Sequence, residues 1–406
     1  MTSTEAKDHD GAGPTVAAGD GRPSGDSAGA GPADTGGTRT GGTRTGATRT
    51  GATRTGGTRT EALLLDEHLA IELGTRLLPP PVMGEALVRV AWAGICGSDL
   101  HVLRTGEWVA YWPATLGHEV VGVVEECPRA ELQPGTVVVV DSRLPCGKCA
   151  GCQKAPSLCR NMSWLGEAIP GGFARHLVVP VTSLVPCPPQ LETDIAVLAE
   201  PLAVAMHAVS RLAHRPHDVL LLGYGPVGAL VHLELLRRWP DLPVFVSEVS
   251  EARRQLALAL GATTVPTPAT SSTDDTDDTD DIDDTAPADD GSPLFSLVVD
   301  AAGYPQSLAD ACNRAANGGT VLVVALAFDT VDLVPAHLVE RALTIVGSVG
   351  FDDELEQALV VLEADPDRYR PLVTEAVLLE EAPARLASLA SALEPAAGKV
   401  LVRPWK

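Results

Sequence analysis

The sequence predicts an α/β protein in which a β-rich domain is followed by a doubly wound parallel sheet. Three observations support this fold class. Between residues 61 and 194, short apolar or alternating segments are separated by Gly and Pro turns, a pattern typical of β structure. From about residue 195, strand-like and helix-like segments alternate, which indicates a parallel sheet with covering helices. A Gly-x-Gly-x-x-Gly pattern at residues 223–228 follows one of these strands and opens a helix.

The predicted elements follow one another in a consistent order. In the β-rich part, strand-like segments are EALLLDEH, EALVRVAWAGI and TVVVVDS. The second part begins with a helical pattern in DIAVLAEPLAVAMHAVSRLA. Strands DVLLLGYG and PVFVSEV then alternate with helices PVGALVHLELLRRW and SEARRQLALALGA. The strand LFSLVVDAAG, a helix over 306–316 and the strand GGTVLVVAL come next, and a final strand, GKVLVRP, is expected to rejoin the first domain.

The domain organisation follows from shifts in composition. Residues 1–60 are predicted to be a disordered low-complexity tail, because they have almost no large apolar side chains and end in five copies of G-[G/A]-T-R-T. A first, β-rich domain is assigned to residues 61–194 and 340–406, and a second, doubly wound domain to residues 195–339. Residues 266–292 are predicted to be an acidic disordered insertion.

Bulk properties exclude some classes of function. The formal net charge is −23, but ten aspartates lie between residues 274 and 290, so much of the excess belongs to one tract. The remainder is acidic and has no basic face, which argues against a nucleic-acid partner. No apolar run is long enough to span a membrane or to form a signal peptide. The eight cysteines do not form a disulfide framework, and a cytoplasmic location is therefore predicted.

A four-cysteine loop is the most informative motif. The run CGKCAGCQKAPSLC places four thiols within a short Gly- and Pro-containing segment. Four thiolates at this spacing typically bind one zinc ion tetrahedrally. A metal-free loop of reduced thiols remains the alternative. The predicted ligands are Cys146, Cys149, Cys152 and Cys159.

A second, open metal set lies about fifty residues upstream. Cys96 supplies a thiolate and His118 an imidazole. Because a catalytic zinc has three protein ligands and one open position, a third ligand is needed, and Glu119 and Glu200 are the candidates. Each residue alone is more often part of a core than of a metal site, but their occurrence together with the four-cysteine loop favours a catalytic metal.

The glycine motif and an acidic residue predict a nucleotide site. The glycines allow a tight turn, close approach of a pyrophosphate and close packing of helix on strand. Glu248 ends the next strand and can accept both ribose hydroxyls, which favours NAD over NADP; Arg253 follows it and leaves NADP possible. The motif residues assigned to the cofactor are Gly223, Gly225, Pro226, Val227 and Gly228.

Residues 61–406 resemble the medium-chain zinc-dependent alcohol dehydrogenase family, in its sorbitol and threonine dehydrogenase-like branch. The motifs that carry the resemblance are GICGSDLH, LGHEVVG, CGKCAGC, GGFARHLVVP, AEPLAVAMHAV and GYGPVG, in the order of the family. The resemblance implies a GroES-like catalytic domain and a Rossmann domain. It also implies one catalytic and one structural zinc per chain, and a homodimer or homotetramer.

The resemblance also implies roles for individual residues. Glu119 matches a glutamate that binds zinc directly or in some states, and Glu200 matches the glutamate that this branch uses in place of a cysteine. Asp99 matches the carboxylate that orients the zinc-bound imidazole. Ser98 and His101 match a proton relay. The chain departs from the family at the four-cysteine loop, where six residues instead of seven separate the third and fourth cysteines.

The expected function is zinc-dependent hydride transfer between a secondary alcohol and NAD(P). A polyol, cyclitol or amino alcohol is the predicted class of small-molecule substrate, and Trp108, Tyr111 and Trp112 are candidates for its pocket, although they could equally belong to the core. Two alternatives stay open: a catalytically inactive nucleotide-binding member of the family with a structural or regulatory role, and a zinc-free enone or quinone reductase on the same fold.

Overall fold

The structure is a computed structural model that describes residues 57–128, 132–266, 293–328, 330–391 and 395–406. Most of the predicted tail and all but the first residue of the predicted insertion lie outside the described residues. The tail boundary at residue 60 was wrong, because strand β1 (Thr58–Leu65) begins before it and pairs with β2 (Ile71–Leu78). Thr60 is buried in this ribbon, so the final residues of the last repeat, 58–60, are part of the folded protein.

A seven-stranded, mainly antiparallel sheet forms the β-rich region. Six strands follow the order β16-β17-β3-β4-β5-β9, and β8 pairs with residues 85–89 of β3, on the edge opposite β4. The closing strand β17 runs antiparallel to β3, which confirms that the end of the chain returns to this sheet. The strands are β3 (Glu85–Gly94), β4 (Glu119–Glu126), β5 (Val137–Val140), β8 (His176–Pro180), β9 (Leu184–Pro186), β16 (Val373–Leu378) and β17 (Lys399–Arg403), and a separate ribbon joins β6 (Arg143–Leu144) to β7 (Ser163–Trp164).

The second sheet has six strands, and all of their pairings are parallel, in the order β12-β11-β10-β13-β14-β15. The doubly wound prediction is therefore confirmed. The predicted domain boundary at residue 340 was wrong, because β15 pairs with β14 in this sheet. A short β-branched segment such as TIVG does not reveal which sheet it joins. The strands are β10 (Val219–Leu222), β11 (Val244–Ser247), β12 (Thr263–Thr264), β13 (Phe295–Asp300), β14 (Ala315–Val323) and β15 (Thr344–Gly347).

Helices cover the parallel sheet and join it to the first one. Within the described ranges, no helix is both long enough and apolar enough to cross a membrane. The helices are α1 (Gly97–Thr105), α2 (Thr193–Ala196), α3 (Ala199–Ser210), α4 (Pro226–Arg238), α5 (Glu251–Ala259), α6 (Ser307–Arg314), α7 (Pro335–Glu340), α8 (Glu354–Ala364), α9 (Pro366–Tyr369) and α10 (Ala382–Ala390), with short 3-10 turns at Pro156–Leu158, Val181–Ser183 and Arg370–Leu372.

Helix α3 lies at the junction of the two sheets. Its sequence is apolar on nearly every side, and such a helix is stable only when it is buried all round. One core cluster contains Leu202 and Met206 of α3, Val121 and Val139 of the first sheet, and Val219 of the second. The start of α3 therefore lies where a cleft between the two regions would form.

Candidate metal centre and nucleotide site

Strand pairing brings the predicted catalytic ligands together. Gly94, the last residue of β3, pairs with Glu119, the first residue of β4. Cys96 lies two residues beyond the end of β3 and caps helix α1, so it sits beside the start of β4. One ligand atom from each of Cys96, His118 and Glu119 lies within 4.8 Å of the other two. These three residues are defined below as the catalytic set.

The Glu119 carboxylate is held on one side only. Its Oε1 atom accepts a hydrogen bond from the Lys399 ammonium at 2.5 Å, and both side chains are about 1% exposed. Lys399 Nζ also donates to the Ile95 carbonyl at 3.2 Å. The Glu119 Oε2 atom is buried and has no hydrogen-bond partner. A Cβ atom at Gly94 would clash with Oε2, so glycine is needed there to leave room for the carboxylate.

Asp99 organises the other two members of the catalytic set. Its Oδ2 atom accepts a hydrogen bond from the Cys96 N–H at 2.9 Å, and Oδ1 accepts one from the Gly117 N–H at 3.1 Å. Oδ1 lies 3.7 Å from His118 Nδ1. Burial alone would lower the pKa of His118, but the charges and hydrogen bonds of Asp99 and Cys96 raise it well above its usual value. The imidazole is therefore surrounded by negative groups.

The donor set fits a zinc ion. Sulfur, imidazole nitrogen and carboxylate oxygen are all zinc ligands, and three such residues leave a position open, as in catalytic sites. A buried carboxylate oxygen without a partner is costly in a protein interior unless something positive meets it. A cation between these three side chains would satisfy Glu119 Oε2.

Glu200 lies near this set but is not part of it. It is buried in the first turn of α3, and its Oε1 atom accepts a hydrogen bond from Ser142 Oγ at 2.8 Å. Burial raises the pKa of Glu200 to about 7, and the charges of His118 and Glu119 act on it in opposite directions. Of the two carboxylates that the sequence proposed as third ligand, the structure brings Glu119, and not Glu200, into the catalytic set.

Glu167 is a carboxylate near the centre that sequence reasoning missed. Burial raises its pKa to about 7, and the charges of His118 and Asp99 are the next contributions. It lies in the turn after β7, where its carbonyl accepts a hydrogen bond from the Ala110 N–H at 2.9 Å. No local pattern marks this residue, since only the fold brings residue 167 close to residue 118.

The predicted relay residues lie on α1. Ser98 is in the first turn, next to Cys96 and Asp99. His101 lies one turn further, and its Nε2 atom is 3.0 Å from the Glu107 carboxylate, which is 60% exposed. Ser98 and His101 therefore lie three residues apart on α1, and the His101 ring reaches an exposed carboxylate.

The three aromatic residues proposed for the substrate pocket have different environments in the structure. The Trp108 ring stacks on His101 with a centroid distance of 4.3 Å. Tyr111 instead contributes to local structure, because its hydroxyl donates to the Thr115 carbonyl and accepts from the Thr115 N–H. Trp112 is 39% exposed.

The four cysteines of the loop converge as predicted. Their four Sγ atoms all lie within 4.8 Å of one another. The Sγ atom of Cys152 is 3.9 Å from that of Cys146 and 3.6 Å from that of Cys149. Four sulfurs about 2.3 Å from a tetrahedral zinc would be about 3.8 Å apart, so the spacing fits that ion. Backbone N–H groups, those of Cys152 and Arg160 first, lower the pKa of Cys149 to about 6, which favours a thiolate.

The shortened loop closes because of a glycine. A Cβ atom at Gly151 would clash with the Leu158 carbonyl, so a side chain there would open the loop. The Ser157 N–H and hydroxyl both donate to the Asp352 carboxylate, at 2.9 and 3.0 Å. The loop is thereby attached to the segment that follows the parallel sheet.

The glycine motif has the geometry that a dinucleotide needs. Gly223 has a φ of 85°, and a Cβ atom there would lie 2.8 Å from Ala302. At Gly228 a Cβ atom would lie 2.6 Å from the Gly223 carbonyl oxygen. Gly225 is the N-cap of helix α4, whose first residues are Pro226 and Val227. Because glycine has no side chain, no side-chain group caps the first turn of this helix. The free N–H groups at this helix start can bind a phosphate.

Glu248 lies beside this loop. Its Oε2 atom accepts a hydrogen bond from the Tyr224 N–H at 2.7 Å, and Oε1 accepts one from the Ser250 N–H at 2.8 Å. Arg253 approaches Oε2 to 3.8 Å and donates through Nε to the Ala396 carbonyl. The carboxylate is therefore anchored at the end of β11, and the nearest guanidinium is partly engaged elsewhere.

Comparison with known proteins finds a family match in each of the two parts of the chain. Residues 82–189 match the family model described as alcohol dehydrogenase GroES-like domain, and residues 237–364 match the one described as zinc-binding dehydrogenase. The 2R,3R-butanediol dehydrogenase of Bacillus subtilis superposes with a TM-score of 0.72 at 26% identity, over 85% of this chain and 100% of that one.

Two relatives show how far the similarity extends. An L-threonine 3-dehydrogenase of Pyrococcus horikoshii is 36% identical over 197 residues, which is 47% of this chain and 56% of that enzyme. The match thus spans only about half the length of such relatives. The D-altritol 5-dehydrogenase of Agrobacterium fabrum is 30% identical over 320 residues, or 76% of this chain and 89% of that protein. With both family models in order along the chain, this protein belongs to the medium-chain zinc-binding alcohol dehydrogenase family.

Proposed function

We propose that this protein oxidises a secondary alcohol, of the polyol, cyclitol or amino-alcohol class, with NAD(P) as hydride acceptor and zinc as Lewis acid. The observation that carries the proposal is the catalytic set, with a buried Glu119 oxygen that has no partner. When bound, zinc lowers the pKa of an alcohol and NAD(P) accepts the hydride. No feature of the site favours the inactive or the zinc-free alternative.

The protein residues around the catalytic set hold it in a fixed geometry. Lys399 holds one oxygen of Glu119, so the other oxygen is turned towards Cys96 and His118. Asp99 accepts the Cys96 N–H and lies beside His118 Nδ1, which favours one orientation of the ring. Such outer partners fix the tautomer and position of ligating histidines. The proposed roles are ligand for Cys96, His118 and Glu119, and orientation for Asp99 and Lys399.

Proton removal is assigned to the face of α1. Ser98 would accept the alcohol proton while it releases its own hydroxyl proton towards His101. His101 passes it to the exposed Glu107 carboxylate, which lies 3.0 Å from Nε2. Glu200 is not part of this route. Its carboxylate accepts a hydrogen bond from the Ser142 hydroxyl, and it is assigned a structural role beside the catalytic set.

Cofactor binding is assigned to the glycine loop and Glu248. The pyrophosphate would lie on the N–H groups that begin α4, and the Glu248 carboxylate would accept the ribose hydroxyls. This arrangement supports NAD as the preferred cofactor, and Arg253 is the residue through which NADP could still be accepted.

The four-cysteine loop is assigned a second, structural zinc. Its ligands would be Cys146, Cys149, Cys152 and Cys159, whose sulfur spacing supports a tetrahedral ion. One catalytic and one structural zinc per chain is therefore part of the proposal. Cytoplasmic location and assembly as a homodimer or homotetramer stay predictions.

The function is tested by a reduced-cofactor absorbance screen. The protein is incubated with NAD or NADP and polyols, cyclitols, amino alcohols and simple alcohols, and zinc per chain is measured in parallel. We expect turnover with at least one of the first three classes and two zinc ions per chain. Cys96→Ala should lose one zinc and all turnover, whereas Cys187→Ala, which changes a cysteine outside both metal sets, should lose neither. Zinc-dependent turnover that survives Cys96→Ala would refute the ligand assignment.

A further inference from the structure

A buried hydrogen bond joins the glycine loop to the helix that follows it. The Tyr224 hydroxyl lies 2.7 Å from His232 Nδ1, and both side chains are 0% exposed. Tyr224 lies between the first two glycines of the nucleotide motif, and His232 lies about two turns into α4. The centroids of the two rings are 5.8 Å apart. These two residues are called the Tyr–His pair, and the proposed chemistry uses neither of them.

The direction of this hydrogen bond follows from the partners of the imidazole. Burial lowers the pKa of His232 to about 4, and the charge of Arg368 acts in the same direction, so the ring is neutral at neutral pH. A neutral imidazole has one donor and one acceptor nitrogen. Nε2 is buried and has no partner, and among the described residues the Tyr224 hydroxyl bonds only to Nδ1. A proton on Nδ1 would leave both Nε2 and the Tyr224 O–H unpaired, so the hydroxyl donates to Nδ1.

Tyr224 is held at two points. Its N–H donates to Glu248 Oε2 at 2.7 Å, and its hydroxyl donates to His232. Its neighbours on both sides are glycines, which restrict the backbone least because they have no Cβ. Gly223 has a φ of 85°, and Gly225 is the N-cap of α4. The Tyr224 side chain therefore anchors the segment that would present N–H groups to a pyrophosphate and a carboxylate to a ribose.

The hydroxyl matters because it is the donor to a buried ring. Without it, both nitrogens of His232 would lack a partner among the described residues, and an unpaired polar atom in a protein interior is costly. The apolar packing of the Tyr224 ring in the core does not replace this bond. Apolar contacts are not directional, so they do not fix the loop at one position along the helix.

We propose that the Tyr–His pair positions the glycine loop for the dinucleotide, with Tyr224 and His232 as positioning residues whose side chains do not touch the cofactor. The proposal rests on the proposed function, which places the pyrophosphate at the start of α4. Because the hydrogen bond holds the loop in one conformation before the cofactor arrives, less conformational freedom is lost on binding. The N–H groups that begin α4 and the Glu248 carboxylate are then presented together.

The test measures cofactor binding separately from turnover. Dissociation constants for NADH are measured by isothermal titration calorimetry for the zinc-loaded protein, Tyr224→Phe, His232→Leu, His232→Asn and the double variant of Tyr224→Phe with His232→Leu. Tyr369→Phe is the matched control, because its hydroxyl is also buried but has no hydrogen-bond partner. Both tyrosine substitutions keep the buried ring, so these variants should fold. Zinc per chain is measured for every protein, and an unaltered value shows that a variant has folded.

We expect Tyr224→Phe and His232→Leu each to weaken NADH binding about fivefold, the change that corresponds to one hydrogen bond. The double variant should bind no more weakly than either single variant, since all three lack the same bond. His232→Asn should bind within about twofold of the unaltered protein, because its amide oxygen lies near the position of Nδ1 and can accept from the Tyr224 hydroxyl. Tyr369→Phe should bind NADH as the unaltered protein does.

Unchanged binding in Tyr224→Phe overturns the proposal, as does an equal loss in Tyr369→Phe. Losses that add in the double variant overturn it too, because the two residues would then act independently. His232→Asn that binds no better than His232→Leu would show that the acceptor at Nδ1 is not what holds the loop.

Turnover in the absorbance screen distinguishes this failure from that of the proposed function. If the protein oxidises alcohols and Tyr224→Phe binds NADH as tightly as the unaltered protein, the positioning role is refuted while the dehydrogenase function stands. If it oxidises none but Tyr224→Phe still weakens NADH binding, the function is refuted while the positioning role stands. If the unaltered protein binds no NADH, both are refuted.

Discussion

Replacement of Lys399 by methionine tests the ion pair behind the catalytic set. Methionine keeps much of the buried volume of lysine but removes its charge. Glu119 would then be a buried carboxylate with neither oxygen paired, because Oε2 already has no partner. We expect a large loss in the free energy of unfolding and a loss of catalytic zinc, since the carboxylate is no longer held towards Cys96 and His118.

The magnitude follows from the geometry. At the 2.5 Å contact distance, the Coulomb attraction is about 7 kcal/mol at an effective dielectric constant of about 20. Desolvation of both groups offsets part of this attraction, and removal of one partner from a buried pair typically costs about 3–5 kcal/mol. We therefore expect Lys399→Met to lower the free energy of unfolding by about 4 kcal/mol. Lys406→Met, at an exposed lysine, should change it by less than about 0.5 kcal/mol.

The assay is a double-mutant cycle in urea, followed by tryptophan fluorescence. The four proteins are the unaltered chain, Lys399→Met, Glu119→Gln and the double variant. Because Glu119→Gln removes the charge that Lys399→Met leaves unpaired, the double variant should be more stable than the sum of the two single losses by about 2 kcal/mol. A loss below about 1 kcal/mol in Lys399→Met, or a coupling energy near zero, would show that the pair does not stabilise this region.

Three further predictions concern other parts of the site. Glu248→Ala should raise KM for NAD about tenfold and that for NADP less, since the ribose acceptor is lost; equal changes for both cofactors in steady-state kinetics would contradict the assignment. Burial lowers the pKa of His232 to about 4, so its neutral form stabilises the fold fully above its unfolded pKa of about 6.5, and this contribution is lost as the pH falls towards 4. The loss should approach about 3 kcal/mol in acid unfolding curves and be absent in His232→Gln. Gly151→Ala should force the loop away from the Leu158 carbonyl and reduce bound zinc by about one ion per chain, while Gln153→Ala, at an exposed position of the loop, should retain it.

Features that depend on local sequence could be predicted. The four cysteines converge within one loop, and the glycine motif needs only the strand and helix that flank it. The geometry of the catalytic set depends in addition on the pairing of β3 with β4, which the sequence analysis did not predict. The position of β15 was different, because a four-residue β-branched strand fits either sheet and only pairing with β14 decides. The start of β1 was missed for a similar reason, since its first residues lie inside a low-complexity repeat.

Lys399 and Glu167 could not be found from the sequence. Lys399 is 280 residues from its partner Glu119, and it is brought there by the antiparallel pairing of β17 with β3. The sequence predicts that the final strand returns to the first sheet, but not which residue faces Cys96. Glu167 lies in a turn without a recognisable motif, and its environment depends on how that turn packs against the catalytic set.

The choice between Glu119 and Glu200 shows what the structure adds. From the sequence, both carboxylates are equally acceptable as the third ligand. Residue type and spacing show which side chains can bind zinc, but not which carboxylate oxygens already accept hydrogen bonds in the folded protein. In the folded protein the Glu200 carboxylate already accepts a hydrogen bond from the Ser142 hydroxyl, and burial favours the neutral form of Glu200. Glu119 keeps one oxygen free while Lys399 compensates its charge. A carboxylate that is charged, fixed and half satisfied is the better ligand, so the hydrogen-bond partners decide between two residues that the motifs leave equal.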